Sequence, residues 1–431
     1  MLKQVPVDEL QLGMYVASLD RPWAGTRFMF QGFEISTHEA LEELRRVCQY
    51  VTIDTEPEGE KNPTPGPTPV PLLKPGSPGV VERASQARDQ QSVLQNPAAS
   101  LHWHPDVTTL EEELSIAREV EGRARTAVFT ILDDVAFGRS VDTASAKEIV
   151  AELAESVIRN PDAVVVLSQL KHVDEYTAMH CLRVSLLALV FGRHLGLSRP
   201  ELNILGLGAL LHDVGKMRVP LEILNKPGRL TEAEFEIMKS HVPHGLTVLE
   251  HSAGLPPAAL EIVGRHHERY SGGGYMTGMN GDAIWLFGMM ASIVDCYDAV
   301  TSDRVYRLGI PAHEALTRMY EWRVKDFHPA LVEQFIQCMG IYPIGSIVEL
   351  ENGAIGVVTT VNRERRLRPR IALVLNPDKK RYKRVKIVDL KELGDQHPGT
   401  AVEIRAVLPD GSHGIRASDY LPIKINLPSG S

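Results

Sequence analysis

The sequence predicts a mainly α protein, with one large helical domain between a small α/β module and a small β-rich one. Three observations carry this. Helical patterns run with few breaks from Thr108 to about Met339. From Gly345 the period changes to strand-like alternation, with turn signals at Asn352-Gly353 and Asp410-Gly411. From about Thr55 to Ser100 the chain is rich in Pro, Gly, Ser and Gln, as in Pro63-Thr-Pro-Gly-Pro-Thr-Pro69, and has too few apolar residues for a core. The expected organisation is therefore a module at 1–54, a flexible linker at 55–104, a helical domain at 105–344 and a β-rich extension at 345–431.

Each element has its own signal. In the first module the short β-like runs Gly13-Met-Tyr-Val16 and Tyr50-Val-Thr-Ile53 flank a helical stretch from Thr37 to Cys48. Thr108 to Phe137 reads as an amphipathic helix, suited either to dimerisation or to burial within the chain. A helix from Pro200 gives way at His212-Asp213 to Val214-Gly215, and Ile284 to Val294 forms a further apolar helix. In the tail, Ile371-Ala-Leu-Val-Leu375 and Val385-Lys-Ile-Val388 alternate as strands. No internal repeat occurs at solenoid spacing.

Bulk properties exclude several classes. The chain has 431 residues, 43% hydrophobic and 23% charged, an ordinary balance for two or three domains. Its apolar runs are too short and interrupted to span a bilayer, and Met1-Leu2-Lys3-Gln4 opens on no signal-peptide pattern, so the expected location is cytoplasmic, without membrane partners. Four scattered cysteines imply no disulfide framework. A net charge of −9 gives no reason to expect nucleic acid as a partner.

The chemistry concentrates in the helical domain, where eight of the sixteen histidines fall between His180 and His267. His212-Asp213 puts an imidazole beside a carboxylate at the end of the apolar stretch Leu205 to Leu211, where both side chains can face one cavity. His180 shares a helical face with Tyr176, Val184 and Leu187; His241, His266-His267 and Asp295 follow on separate elements. Imidazole and carboxylate donors suit zinc, manganese and iron, and no paired cysteines suggest a structural zinc knuckle.

The order His180-x-x-Arg183, His212-Asp213-x-Gly215-Lys216, Lys226-Pro227-Gly228, Met238-Lys239-x-His241, His266-His267-Glu268, Gly274-Tyr275 and Asp295-x-Tyr297-Asp298-Ala299-x-Thr301-Ser302-Asp303-Arg304 resembles the HD-GYP subgroup of the HD phosphohydrolases. The likeness covers about Glu175 to Arg307, and Met1 to Asp54 is similar to the uncharacterised module that often precedes this domain. The resemblance implies an all-helical, metal-dependent phosphodiesterase that opens cyclic di-GMP to pGpG and GMP. It makes His180, His212, Asp213, His241, His266, His267 and Asp295 the ligands of two divalent metals, with Asp213 between them. Iron or manganese is the expected pair, with zinc, nickel and cobalt compatible. Such a pair would clamp a phosphate and make hydroxide available for in-line attack. Lys216 would neutralise a phosphate oxygen or assist the leaving oxygen, and Asp298 would orient a ligand or the substrate. Arg304, Arg307, Tyr275 and Gly274 would meet the substrate. Arg183 is open between a substrate contact and a buried partner for a carboxylate such as Asp213 or Asp295.

Three positions depart from the family pattern. Gly274-Tyr275-Met276 lacks the proline of the signature, and Ser271 stands where an acidic residue is usual, so this Gly-rich loop is expected to be less rigid and to allow close backbone approach to a ligand. Tyr176 replaces the Glu of three-metal members, with Glu175 as the neighbouring substitute, and Met289 replaces an Arg. The altered loop keeps open a weakly catalytic receptor for cyclic di-GMP or for a signalling partner such as a diguanylate cyclase; another phosphoester substrate is a third reading. From Arg363 to Lys386 eleven Lys or Arg face only Glu364 and Asp378, a basic hairpin that either guides an anionic ligand or is the solvated face of a module packed on the helices.

Overall fold

The computed structural model describes residues 2–19, 33–35, 38–54, 106–169, 176–276, 278–302, 309–363, 365–396 and 403–422. The expected linker lies outside them. The described residues fall into two compact units, 2–54 and 106–422.

In the first unit, strands β1 (Leu2–Pro6), β2 (Tyr15–Leu19), β3 (Phe33–Glu34) and β4 (Tyr50–Asp54) form an antiparallel sheet of order β1-β4-β2-β3, with helix α1 at His38–Val47. Val51 and Ile53, two apart on β4, enter one core with Val5, Val16, Leu41 and Leu44, because alternate residues of a strand face the same way. The sequence reading anticipated β2, α1 and β4 and missed β1 and β3.

The second unit opens with α2 (Leu110–Ala136), whose start is fixed by a capping box between Thr109 and Glu112. Ala117, Val120, Ala124, Val128, Ile131 and Val135 recur at helical spacing and are buried. Their cover is α3 (Thr143–Arg159) and α4 (Pro161–Ser168), so this stripe is filled within the chain. Glu113, fully buried on α2, accepts Nε (2.7 Å) and Nη2 (2.8 Å) of Arg159 and Oγ of Ser156 (2.6 Å), which satisfies a charge that would otherwise be costly there.

Five elements then converge. Helix α5 (Tyr176–His194) packs on α6 (Arg199–Leu211), and a 3-10 turn at Val214–Arg218 follows α6. After the short α7 (Leu221–Leu224) and α8 (Glu232–Lys239), α9 (His241–Glu250) lies against that turn. Helix α10 (Pro257–Arg265) packs on α6, and α11 (Leu286–Thr301) packs on α5 and α10. Helices α12 (Ala312–Trp322) and α13 (Pro329–Met339) complete the domain. No helix among the described residues is long and apolar enough to cross a membrane.

The tail forms β5 (Ile347–Leu350), β6 (Ile355–Thr360), β7 (Arg370–Leu375), β8 (Arg381–Asp389) and β9 (Ile404–Leu408), an antiparallel sheet of order β8-β7-β6-β5-β9, with α14 at Leu390–Gln396. Ile347, Ile355 and Val357 fill one face, while Val348, Leu350 and Val358 fill the other. Part of the basic run docks this sheet on the helices. Arg363 pairs with Asp162 at the start of α4 and with Asp106 (3.3 Å), and Arg370 lies 3.8 Å from Glu111. Lys383, Arg384 and Lys386 stay exposed on the edge strand β8, as in the reading of a solvated face.

Candidate metal centre

His180 comes from the second turn of α5, His212 caps the end of α6, and Asp213 follows at φ −107, ψ 8, a conformation that turns the chain out of the helix. His241 opens α9, His266 caps the end of α10 with His267 next, and Asp295 sits within α11. The structure brings all seven together. His180, His212, Asp213, His241 and His266 are buried, and the Asp295 side chain is 16% exposed.

Asp213 stands at the centre, and its two oxygens face different histidines. Oδ2 lies 3.2 Å from His212 Nε2 and 3.5 Å from His180 Nε2, whereas Oδ1 lies 3.4 Å from His241 Nε2 and 3.8 Å from His266 Nε2. Asp295 Oδ1 joins the first group, 3.0 Å from His180 Nε2 and 3.9 Å from His212 Nε2. His267 joins the second; its ring centroid is 4.1 Å from that of His266 and 5.0 Å from that of His241. The result is two donor groups that share one carboxylate: His180, His212 and Asp213 have ligating atoms close enough for a single ion, as do Asp213, His241, His266 and His267, with Asp295 beside the first group.

The hydrogen bonds fix which nitrogen is which. His212 Nδ1 donates to Ala209 O (2.7 Å), His241 Nδ1 to Met238 O (2.7 Å) and His266 Nδ1 to Val263 O (2.8 Å). A carbonyl only accepts, so each Nδ1 carries a proton and each Nε2 is the atom turned to Asp213. Burial pushes His266 down to about 3 and, with His266 beside it, holds His267 well below the usual histidine range; burial also lowers His241. For His241, His266 and His267 protonation therefore does not relieve the convergence of lone pairs. His212 Nε2 and Asp213 Oδ1 are buried without a hydrogen bond, and His241 Nε2 faces His266 Nε2 at 3.4 Å. A divalent cation reconciles such a donor set, and the residues fit one. Against burial, which would raise them, His212 and Lys216 hold Asp213 well below the carboxylate range, and His180 does the same for Asp295.

His180 is oriented differently. Its Nδ1 meets Asp298 Oδ2 at 2.7 Å, and Arg183 forks onto the same carboxylate, Nε to Oδ1 at 2.7 Å and Nη2 to Oδ2 at 3.0 Å. Burial would depress His180, but Asp295 and Asp298 outweigh it and raise its proton affinity. Burial would raise Asp298, yet Arg183 and His180 bring it to about 2. Arg183 is a buried partner for a carboxylate, Asp298, and Asp298 in turn orients His180 from behind. Lys216 pairs with Asp213 across one turn.

The Gly-Tyr-Met loop is held in place. Ser271 N donates to Lys325 O (2.9 Å) and Tyr270 N to Asp326 O (3.2 Å), in a segment where Val324 holds φ +78, a strained value for a β-branched residue. Gly272, at φ +85, supplies a left-handed turn. A Cβ at Gly274 would sit 2.6 Å from Glu268 Cα and 2.8 Å from Arg269 N, so the loop lies directly on the protein's own backbone. Tyr275 stacks on His267 with centroids 4.6 Å apart and planes at 31°. Arg304, Arg307 and Glu175 lie outside the described residues, as does the side chain of Tyr176. Sequence reasoning assigned no role to Glu268, buried under Gly274, or to Phe235, whose ring meets Tyr275; a lone aromatic among the glutamates of α8 was the available signal.

The chain is similar to known proteins along most of its length. Residues 163–331 match the HD domain family, 2–146 match a domain of unknown function (DUF3391), and 347–395 match the KOW domain associated with HD domain. The chain is 36% identical over 396 residues to cyclic di-GMP phosphodiesterase PA4108 of Pseudomonas aeruginosa, across 91% of this chain and 90% of that one. It is 37% identical over 177 residues to the cyclic di-GMP phosphodiesterase response regulator RpfG of Xanthomonas campestris, which covers 40% of this chain and 47% of the relative. It is also 33% identical over 162 residues to 3'3'-cGAMP-specific phosphodiesterase 2 of Vibrio cholerae, covering 37% and 31% respectively. With similarity to one relative along nearly all of both chains and an HD-domain match over the histidine cluster, the chain belongs to the HD-GYP family of HD-domain proteins.

Proposed function

We propose that the protein is a metal-dependent phosphodiesterase that opens cyclic di-GMP to pGpG and then to GMP. The observation that carries this is the Asp213 carboxylate, whose two oxygens are turned to two different groups of buried histidines. His180, His212 and Asp295 with Asp213 would hold one ion, and His241, His266 and His267 with Asp213 a second; iron or manganese is the expected metal. Bound there, the metals supply Lewis acidity toward a phosphodiester and lower the pKa of the attacking water. Water adds across a P–O3′ bond and leaves a 5′-phosphate on one guanosine and a 3′-hydroxyl on the other. Lys216, 20% exposed beside Asp213, puts a cation where it can meet a phosphate oxygen or protonate the departing 3′-oxygen. Arg304 and Arg307 are the groups proposed to receive the second phosphate. Whole-length likeness to a relative named for cyclic di-GMP supports this substrate over 3'3'-cGAMP, whose named relative matches in part of the chain.

The test is incubation of protein loaded with Fe(II) or Mn(II) with each cyclic dinucleotide and chromatographic separation of the products. Prompt pGpG formation is expected. Tight binding of cyclic di-GMP without hydrolysis under either metal would overturn the proposed activity in favour of a receptor, and cleavage of 3'3'-cGAMP alone would reassign the substrate.

A second expectation concerns the Asp298 support. Asp298→Asn keeps the shape but removes the charge that orients His180 and balances Arg183, so metal affinity should fall by about 10- to 100-fold. Titration with Mn(II) checks this; unchanged affinity would mean that the His180 orientation does not need the carboxylate.

A further inference from the structure

Helix α8 is unusual in this domain, because none of its residues is fully buried. It is held by a capping box between Thr231 and Glu234 and by the Lys226–Glu234 ion pair, not by a packed apolar face. Phe235 on this helix is 42% exposed, although a ring of this size normally buries most of its area. Its position is specific. The ring meets Tyr275 edge-on, centroids 5.9 Å apart at 73°, and Tyr275 in turn stacks on His267 of the candidate metal centre. Lys239, one turn along α8, carries its ammonium 5.3 Å from the Phe235 ring centre and 5.8 Å from that of Tyr275, tethered by Glu236 at 2.5 Å.

We infer that Phe235, Tyr275 and Lys239 form a base-binding subsite that takes a guanine of the nucleotide whose phosphate sits at the histidine cluster. This rests on the proposed cyclic dinucleotide substrate. Three features select a purine nucleotide as the occupant. The rings continue outward from His267, so a ligand with its phosphate at the centre brings its base to them. A half-exposed aromatic face gains from stacking with the large π-surface of a purine. The Lys239 ammonium offers donors to the O6 and N7 acceptors that guanine presents and to no acid in the base, while adenine offers a donor at N6. Phe235 therefore acts in nucleotide affinity, and Lys239 in the choice of base.

The experiment compares binding of GMP and of inorganic phosphate to the full-length Mn(II)-loaded protein by calorimetry, for wild type, Phe235→Ala and Phe235→Trp. Both ligands engage the phosphate position, but only GMP has a base. Phe235→Ala should weaken GMP about tenfold relative to phosphate, and Phe235→Trp should restore it. Equal weakening of both ligands, or no change in the GMP-to-phosphate ratio, would overturn the subsite. Because the readout is binding, a wild-type protein that binds GMP through Phe235 but fails to hydrolyse cyclic di-GMP would sink the proposed reaction and leave the subsite standing.

Discussion

Asp213→Asn is expected to abolish metal loading and to lower cyclic di-GMP hydrolysis by about a thousandfold or more, the several kcal/mol that metal catalysis supplies. The reasoning starts from the two oxygens of Asp213, each turned to a different histidine group. An amide at this position offers a neutral oxygen to one group and an N–H donor to the other. The donor can satisfy an Nε2 lone pair of His241 or His266, while Lys216 loses its carboxylate partner, so the metal-free fold changes in stability for reasons separate from metal loading. What is lost is the negative charge common to both groups. Thermal unfolding separates these effects: added Mn(II) should raise the wild-type Tm by mass action and leave the variant unmoved, with elemental analysis giving the metal content. A variant that keeps its metals and more than about a tenth of the activity would refute the shared-ligand role of Asp213.

What each residue's role requires decides how much of this site is legible in the sequence. The ligand set was legible, because His, Asp and a helix end at 212–213 carry their chemistry in the residue type. The pairing of Arg183 was not, since Asp213, Asp295 and Asp298 are equally acidic on paper. Only the packing of α5 on α11 decides it. His180 and Arg183 are one turn apart on one helix, Asp295 and Asp298 one turn apart on the other, so side-by-side helices put the second pair behind the first. Gly274 is a related case. Glycine signals freedom of φ, yet its backbone carries no positive φ, and the need for hydrogen in place of a side chain comes from contact with Glu268. The apolar stripe of α2 likewise could not tell a partner chain from α3 and α4. In the fold, the strands with strong alternation were anticipated, whereas β3, two residues long, has too little sequence to show a period.

Gly215 leads to the largest expected effect on stability. The 3-10 turn after Asp213 lies so close to the start of α9 that a Cβ at Gly215 would overlap the carbonyl oxygen of His241 and the amide nitrogen of Gly245. Both obstacles are backbone, which cannot rotate away as a side chain can, so Gly215→Ala must push the turn off α9. The overpacking should cost about 3 kcal/mol or more, and for a domain of this size lower Tm by roughly 6–12 °C. The same movement separates His212, Asp213 and Lys216 from His241, so affinity for Mn(II) should fall together with stability. Gly122 provides the contrast. It is exposed within α2, and nothing stands within 4 Å of a Cβ added there, so Gly122→Ala should stabilise by about 0.5–1 kcal/mol through helix propensity. Thermal unfolding of both variants in chelator, followed by metal titration, tests the argument. If Gly215→Ala unfolds within about 2 °C of wild type, the contact of this turn with α9 is not what holds the two donor groups together.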